Sequence, residues 1–252
     1  MAAPATYDDL WRSIRREAEA AIAADPFLEA SAAFILDQGD LGGALAFLIG
    51  RRIGRAEADR AQFMRTAREA FAADRALVDA AACDLVAILR RDPAISGLLS
   101  PLLNFKGYVG LQAWRVSNWL WRQERPDLAR LIQGAAADAL QISIHPSARI
   151  GTAVFLDHGT GIIIGALASV GDEVTILHNV TIARHQDDPR NAPKIGRGVL
   201  LSAGATVIGN LSVGDFAKIG AGALVTSDVP AGCTAIGVPA RLTNCAEAGA
   251  LS

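Results

Sequence analysis

From Ile144 to Val225 an aliphatic residue returns at every sixth position. Ile144, Ile150, Leu156 and Ile162 keep one frame, and Ile164, Val170, Ile176 and Ile182 keep a second, slipped by two. Ile195, Leu201, Val207, Val213, Ile219 and Val225 keep a third without a break. Glycine often follows these positions (Gly151, Gly165, Gly171, Gly196, Gly214, Gly220), and small or β-branched residues such as Ala148, Val154, Thr160, Val180, Ala205 and Ala223 stand four places after them. Neither the period of a strand nor that of a helix fits this pattern. A six-residue repeat is the signature of a parallel β-helix, each hexad supplying one short strand and one tight turn. Three hexads close a triangular coil, so residues about eighteen apart stack and bury a continuous aliphatic column.

The residues before the repeat read as helices. Trp11, Ile14, Ala18 and Ile22 share a face that ends at Asp25-Pro26, and Leu41 to Ile49 forms a short apolar helix behind Gly42-Gly43. Leu77, Ala81, Leu85 and Ile88 mark another helix, stopped at Asp92-Pro93 because the residue before proline resists the α region. Gly107 to Glu124 carries Leu111, Trp114, Asn118 and Trp121 at helical spacing, and Leu128, Leu131, Ile132, Ala135 and Ala139 finish the helical part. The fold class predicted is α+β: an all-helical domain over residues 1–141, a β-helix over 142–241 and a short tail over 242–252. The ends and flat faces of a β-helix are apolar, so the helices should cap the first coil and the coils should associate side by side, most often as trimers.

Composition narrows the function. Of the 252 residues 51% are hydrophobic, the formal net charge is −2, and no basic run offers nucleic acid a footprint. No apolar run approaches the roughly 18 residues needed to cross a bilayer, and the N-terminus lacks the apolar core of a signal peptide, so no membrane partner is expected. Three cysteines, Cys83, Cys233 and Cys245, form neither an even framework nor a metal spacing. They predict unpaired thiols in a reducing, cytoplasmic setting and no metal.

Polar interruptions of the repeat are the candidates for chemistry. Between Ile182 and Ile195 lie thirteen positions, one hexad plus seven extra residues, and this Pro-containing excursion must leave the coil. Loops thrown out of a rigid scaffold commonly carry function. His158 and His178 each take the third place of a hexad, where small residues are usual, and should project from one face, one coil above the other. His178 reads as a rung of a surface histidine ladder. His158 stands in Asp157-His158-Gly159-Thr160-Gly161, whose glycines let a ligand or a neighbouring chain approach the imidazole.

Taken together, Ala81-Ala82-Cys83-Asp84, Arg91-Asp92-Pro93-Ala94, Pro101-Leu102-Leu103 with Lys106-Gly107, Leu111-Gln112-Ala113 with Arg115, and Leu156-Asp157-His158 with Thr160-Gly161 resemble the serine O-acetyltransferases. The likeness runs from the N-terminal helices through Gly237-Val238-Pro239-Ala240-Arg241. It implies a left-handed coil and transfer of acetyl from acetyl-CoA to L-serine, the first step of cysteine biosynthesis, by a trimer or a dimer of trimers. It also implies His158 as general base, Asp157 and Asp92 as the carboxylates that hold the amino acid, and Ala203 and Ala221 beside the pantetheine arm, with no metal. The sequence departs from the family around the site. Ser143 stands where an aspartate orients the base, Asn191-Ala192 where an Arg-His pair ends a mobile loop, and Ala166 where a glutamate is usual. The loop opens Ala183-Arg184-His185-Gln186 instead of Gly-Gly-Thr-Gly and is one residue shorter.

Two other readings follow from these departures. His185 in His185-x-Asp187-x-Pro189-Arg190 resembles the histidine-bearing loop of the maltose, galactoside and antibiotic acetyltransferases, which makes it an alternative base for another acceptor. The chain could also be a non-catalytic paralogue. The tail closes Ala250-Leu251-Ser252, without the terminal isoleucine by which the family engages its sulfhydrylase, so no tight complex with that partner is expected. Feedback by cysteine should be weak, because the Arg-His pair is absent.

Overall fold

The computed structural model describes residues 6–184 and 191–245. Among them eight α-helices precede the strands. Helix α1 (Tyr7–Ala24) is capped by Thr6, whose side chain accepts the Asp9 N–H, and buries Leu10, Trp11, Ile14 and Ala18 before Asp25 ends it. After α2 (Glu29–Asp37), α3 (Leu41–Ile53) starts at Asp40, whose carboxylate takes the Gly43 N–H. Helix α4 (Glu57–Ala73) packs across α3, and α5 (Arg75–Arg91) stops at Asp92 as the proline requires. A short α6 (Leu99–Asn104) leads to α7 (Lys106–Arg122) and α8 (Pro126–Leu140). Gln141, in the left-handed region at φ 59°, then turns the chain into the coils.

The coils form three parallel sheets. One holds β1 (Ile142–Ile144), β4 (Ile162–Ile164), β7 (Thr181–Ala183), β10 (Thr206–Ile208) and β13 (Leu224–Val225). The second holds β2 (Arg149–Ile150), β5 (Ser169–Val170), β8 (Lys194–Ile195) and β11 (Ser212–Val213). The third holds β3 (Phe155–Leu156), β6 (Thr175–Ile176), β9 (Leu200–Leu201), β12 (Lys218–Ile219), β14 (Thr234–Ile236) and β15 (Arg241–Thr243). Every pairing is parallel except β14 with β15, which folds back to close the lower end. The hexad residues stack as the period demands: Ile144 on Ile164, Ile164 on Ile182, Ile182 on Val207 and Val207 on Val225. The first of these steps exceeds eighteen residues by two and the third by seven, the slip and the excursion seen in the pattern. All five residues of that column are buried.

The first coil has no coil above it, so its upper backbone groups need other partners. Helix α7 supplies them. Trp114 Nε1 donates to His145 O (3.2 Å), Asn118 Nδ2 to Pro146 O (2.8 Å) and Arg115 Nη2 to Gly151 O (2.9 Å). Asp84 of α5 completes the join. Its fully buried carboxylate accepts Arg115 Nη2 (2.7 Å) and Nε (3.2 Å), Gln112 Nε2 (3.1 Å) and the Val154 N–H (2.9 Å). Burial pushes this carboxyl up, and Arg115, Gln112 and the Val154 N–H pull it back.

One expectation is corrected. Cys233 and Cys245 are joined as a disulfide across twelve residues of sequence. The β14–β15 hairpin brings them together, a contact that spacing alone did not reveal. Cys83 is free and exposed. No helix among the described residues is long and apolar enough to cross a membrane.

Two outcomes follow. Asp84→Ala leaves the Arg115 guanidinium buried without its carboxylate and should cost about 3–5 kcal/mol, read as a lower urea midpoint. A second concerns His145, which burial, then Arg130 and Arg184, hold below the ordinary imidazole value of 6.5. Its Nδ1 accepts the Ser147 N–H (3.1 Å), a bond that a proton on Nδ1 would break. The folded chain therefore binds this proton more weakly than the unfolded one. The contribution is complete above about pH 6.5 and is lost as pH falls below it. Unfolding midpoints should decline with acid there, and His145→Asn should flatten part of the decline.

Candidate active site

The corner between the third and first sheets is where the two-residue slip occurs. From Leu156 to Ile164 the first coil spends eight positions on a turn that the coils below make in six, from Ile176 to Ile182 and from Leu201 to Val207. Hydrogen bonds show which residues are extra. The Asp157 N–H is still in the ladder, donating to Ile176 O (2.8 Å). Further round, Gly161 N–H donates to Gln141 O (2.8 Å), Asn179 N–H to Thr160 O (2.7 Å), Gly204 N–H to His178 O (2.9 Å) and Gly222 N–H to Ala203 O (2.9 Å). Thr160, His178, Ala203 and Ala221 therefore share one column, and His158-Gly159 is the pair left over. Both lie in the left-handed region, at φ 58° and 72°, and the Gly159 N–H closes the bulge on Asp157 O (2.7 Å).

The bulge corrects one detail of the histidine reading. Thr160, not His158, stacks above His178, and His158 is thrown outward. Its side chain is 73% exposed, with Nε2 3.7 Å from Asp157 Oδ1, beyond hydrogen-bond range. The two imidazoles still meet, with ring centroids 5.8 Å apart and planes at 78°. His178 is half-buried, and its Nδ1 is enclosed with no hydrogen-bond partner. A solvated ladder rung would not look like this. The signal in the sequence was a ring in a column otherwise made of small residues.

Helix α7 clamps the bulge from above. A Cβ at Gly107 would collide with Leu156 O, and one at Gly159 would come within 3.0 Å of Gly107 Cα and of Ile142 Cδ1. Asp92 follows α5, its carboxylate accepting the Ala94 N–H (2.9 Å). Its neighbour Arg91 donates to Thr175 Oγ1 of β6 (3.2 Å), so this turn stands beside the sheet that leads into the His158 corner.

The remaining candidates lie elsewhere. Ser143, outward on β1, takes a hydrogen bond from Gln133 Nε2 of α8 (3.3 Å). Ala192 and Pro193 pack into the coil where the excursion returns, beside a cavity of about 250 Å³ lined by Ser147, Arg149, Leu167, Asn191, Lys194 and Asn210. That cavity is on the corner between the first and second sheets, at the opposite end of the strand from His158. His185 and the tail from residue 246 lie outside the described residues. No group of three or more His, Cys, Asp or Glu among the described residues could hold a metal ion.

A parallel hexad coil capped by helices, with an imidazole raised on a corner above a column of small side chains, defines a hexapeptide-repeat acyltransferase. Residues 10–113 match the family model described as serine acetyltransferase, N-terminal. A serine acetyltransferase of Salmonella typhimurium is 39% identical over 237 residues, covering 93% of this chain and 87% of that protein. The solved serine acetyltransferase of Vibrio cholerae superposes with a TM-score of 0.91 at 42% identity, covering 94% and 93% of the two chains. The soybean enzyme complexed with serine gives 0.89 at 39% identity, covering 93% and 97%. The chain belongs to the serine acetyltransferase family.

The clamp makes a local prediction. Gly107→Ala must push the start of α7 off the Leu156 carbonyl and should destabilise the fold by about 1–3 kcal/mol. It should also slow acyl transfer at temperatures where the variant is still fully folded, which circular dichroism and CoA release measured together would check.

Proposed function

We propose that this chain transfers the acetyl group of acetyl-CoA to the hydroxyl of L-serine, with His158 as general base. The observation that carries the reading is the bulge, which lifts one exposed imidazole clear of the coil at the head of a column of small residues. A serine hydroxyl is a weak nucleophile at neutral pH, so a positioned imidazole must take its proton as the oxygen attacks the thioester carbonyl. The tetrahedral intermediate collapses, the C–S bond breaks, and the CoA thiolate takes the proton back from the imidazolium. Asp157 and Asp92 offer carboxylates to the ammonium group of the amino acid. The pantetheine arm runs along the corner past Ala203 and Ala221, where small side chains let it lie against backbone.

The assembly is a trimer or a dimer of trimers. Ile163 and Leu167, 46% and 43% exposed on the flanks of the coil, support side-by-side association. So does the separation of His158 and Asn191-Ala192 on different corners, since a neighbouring chain could bring the second to the first. A role in the cytoplasm and at the first step of cysteine biosynthesis goes with the reaction. Weak inhibition by cysteine remains part of the proposal, resting on Asn191-Ala192, where the family resemblance places an Arg-His pair.

The test is steady-state CoA release with L-serine, then with amines and sugars. His158→Ala should lose at least roughly 100-fold of the rate, the usual share of general-base catalysis. An active His158→Ala beside a dead His185→Ala would transfer the role of base, and the choice of acceptor, to the loop.

A further inference from the structure

The geometry points to His178 as the residue that holds the imidazole of His158 in its working orientation. The inference rests on His158 being the base. A base must keep its ring at a fixed angle to the hydroxyl it deprotonates, and His158 has little to fix it. It stands on a bulge with left-handed backbone, its side chain is 73% exposed, and the Asp157 carboxylate is 3.7 Å away, beyond hydrogen-bond range. Ser143 turns its hydroxyl to α8, accepting a hydrogen bond from Gln133 Nε2 at 3.3 Å.

His178 is placed to supply the hold. Its backbone is locked in the ladder, with its carbonyl accepting the Gly204 N–H and the next residue's N–H donating to Thr160 O. Its ring is the one large group in the column Thr160–His178–Ala203–Ala221, and it meets His158 nearly at right angles, 5.8 Å between centroids. The enclosed Nδ1 has no hydrogen-bond partner, so the contact works through the ring itself and not through a bond at that nitrogen. Among the described residues three other features adjoin the pair. Asp157 precedes the bulge, Lys106 adjoins the Gly107 that packs over Gly159, and the coil below presents Ser202, Ala203 and Gly204, none charged.

This assigns a positioning role with a distinct kinetic signature. His178→Ala should lower kcat by on the order of 10- to 100-fold, the loss expected when a reacting group is misplaced by about an ångström. A ring that acts only through His158 should leave the KM values for serine and acetyl-CoA within about twofold. His178→Phe keeps a ring and gives up no hydrogen bond at Nδ1, so it should recover most of the lost rate. A loss of kcat in the Phe variant as deep as in the Ala variant would overturn the inference, as would a rise in KM at unchanged kcat.

Proton NMR gives a readout independent of the acceptor. The sequence holds four histidines, so single substitutions assign their ring signals. The His158 signal, shifted by the neighbouring ring, should move in His178→Ala and return toward its place in His178→Phe. An unmoved signal in His178→Ala would mean that the rings do not meet in solution and would end the proposal. A signal that moves as expected in a protein inactive toward serine would leave the positioning intact and remove only the assigned acceptor.

Discussion

The first coil of a β-helix is an open edge, and the way this chain closes it governs everything above and below. Asp84, Gln112 and Arg115 form one buried polar knot that reaches from α5 and α7 to Val154 N–H and Gly151 O. A buried ion pair of this kind is weak evidence for net stability, because desolvation offsets most of its attraction. Its value is geometric. The carboxylate and the guanidinium are satisfied in one arrangement only, with the helices seated on the coil at one height and angle. Trp114 and Asn118 extend the same docking along α7 to the carbonyls of His145 and Pro146.

That seating reaches the site. Arg115 lies two turns along α7 from Gly107, and Gly107 has no room to move against Leu156 O and Gly159. The bulge carrying His158 is therefore held between the first turn of α7 and Ile142. A left-handed residue without a glycine's freedom persists only where its surroundings over-determine it. Here the surroundings are a helix that is itself fixed by a knot farther along.

Much of this was legible in the residues, and what was not has physical reasons. The six-residue period predicted the sheets and their register, because burial of a column leaves no latitude in spacing. The caps at Asp25-Pro26 and Asp92-Pro93 predicted helix ends that the structure keeps. Helix α4 went unread because its buried stripe is Phe63, Thr66, Ala67, Ala70 and Phe71, too small and mixed to stand out from its charged face. The Cys233–Cys245 bond was hidden because a hairpin unrelated to the hexads makes it. His158 stood out by its glycines, whereas the half-burial of His178 was not foreseen. Sequence spacing cannot show that a bulge has lifted one ring until it leans on the other.

The two irregularities of the repeat lie at the two ends of the first sheet's strands. The two-residue slip falls before β4, and the longer excursion leaves after β7, the strand beneath it. Between and below them the columns keep strict register, since each inner residue is buried and a shift of one position would turn it outward. A coil can therefore lengthen only at its corners, where side chains point away from the core. Both places where this chain departs from the hexad carry the polar residues that the hexads exclude. The rigidity that forbids change in the columns is what holds a two-residue excess at one corner in a fixed place, and the imidazole with it.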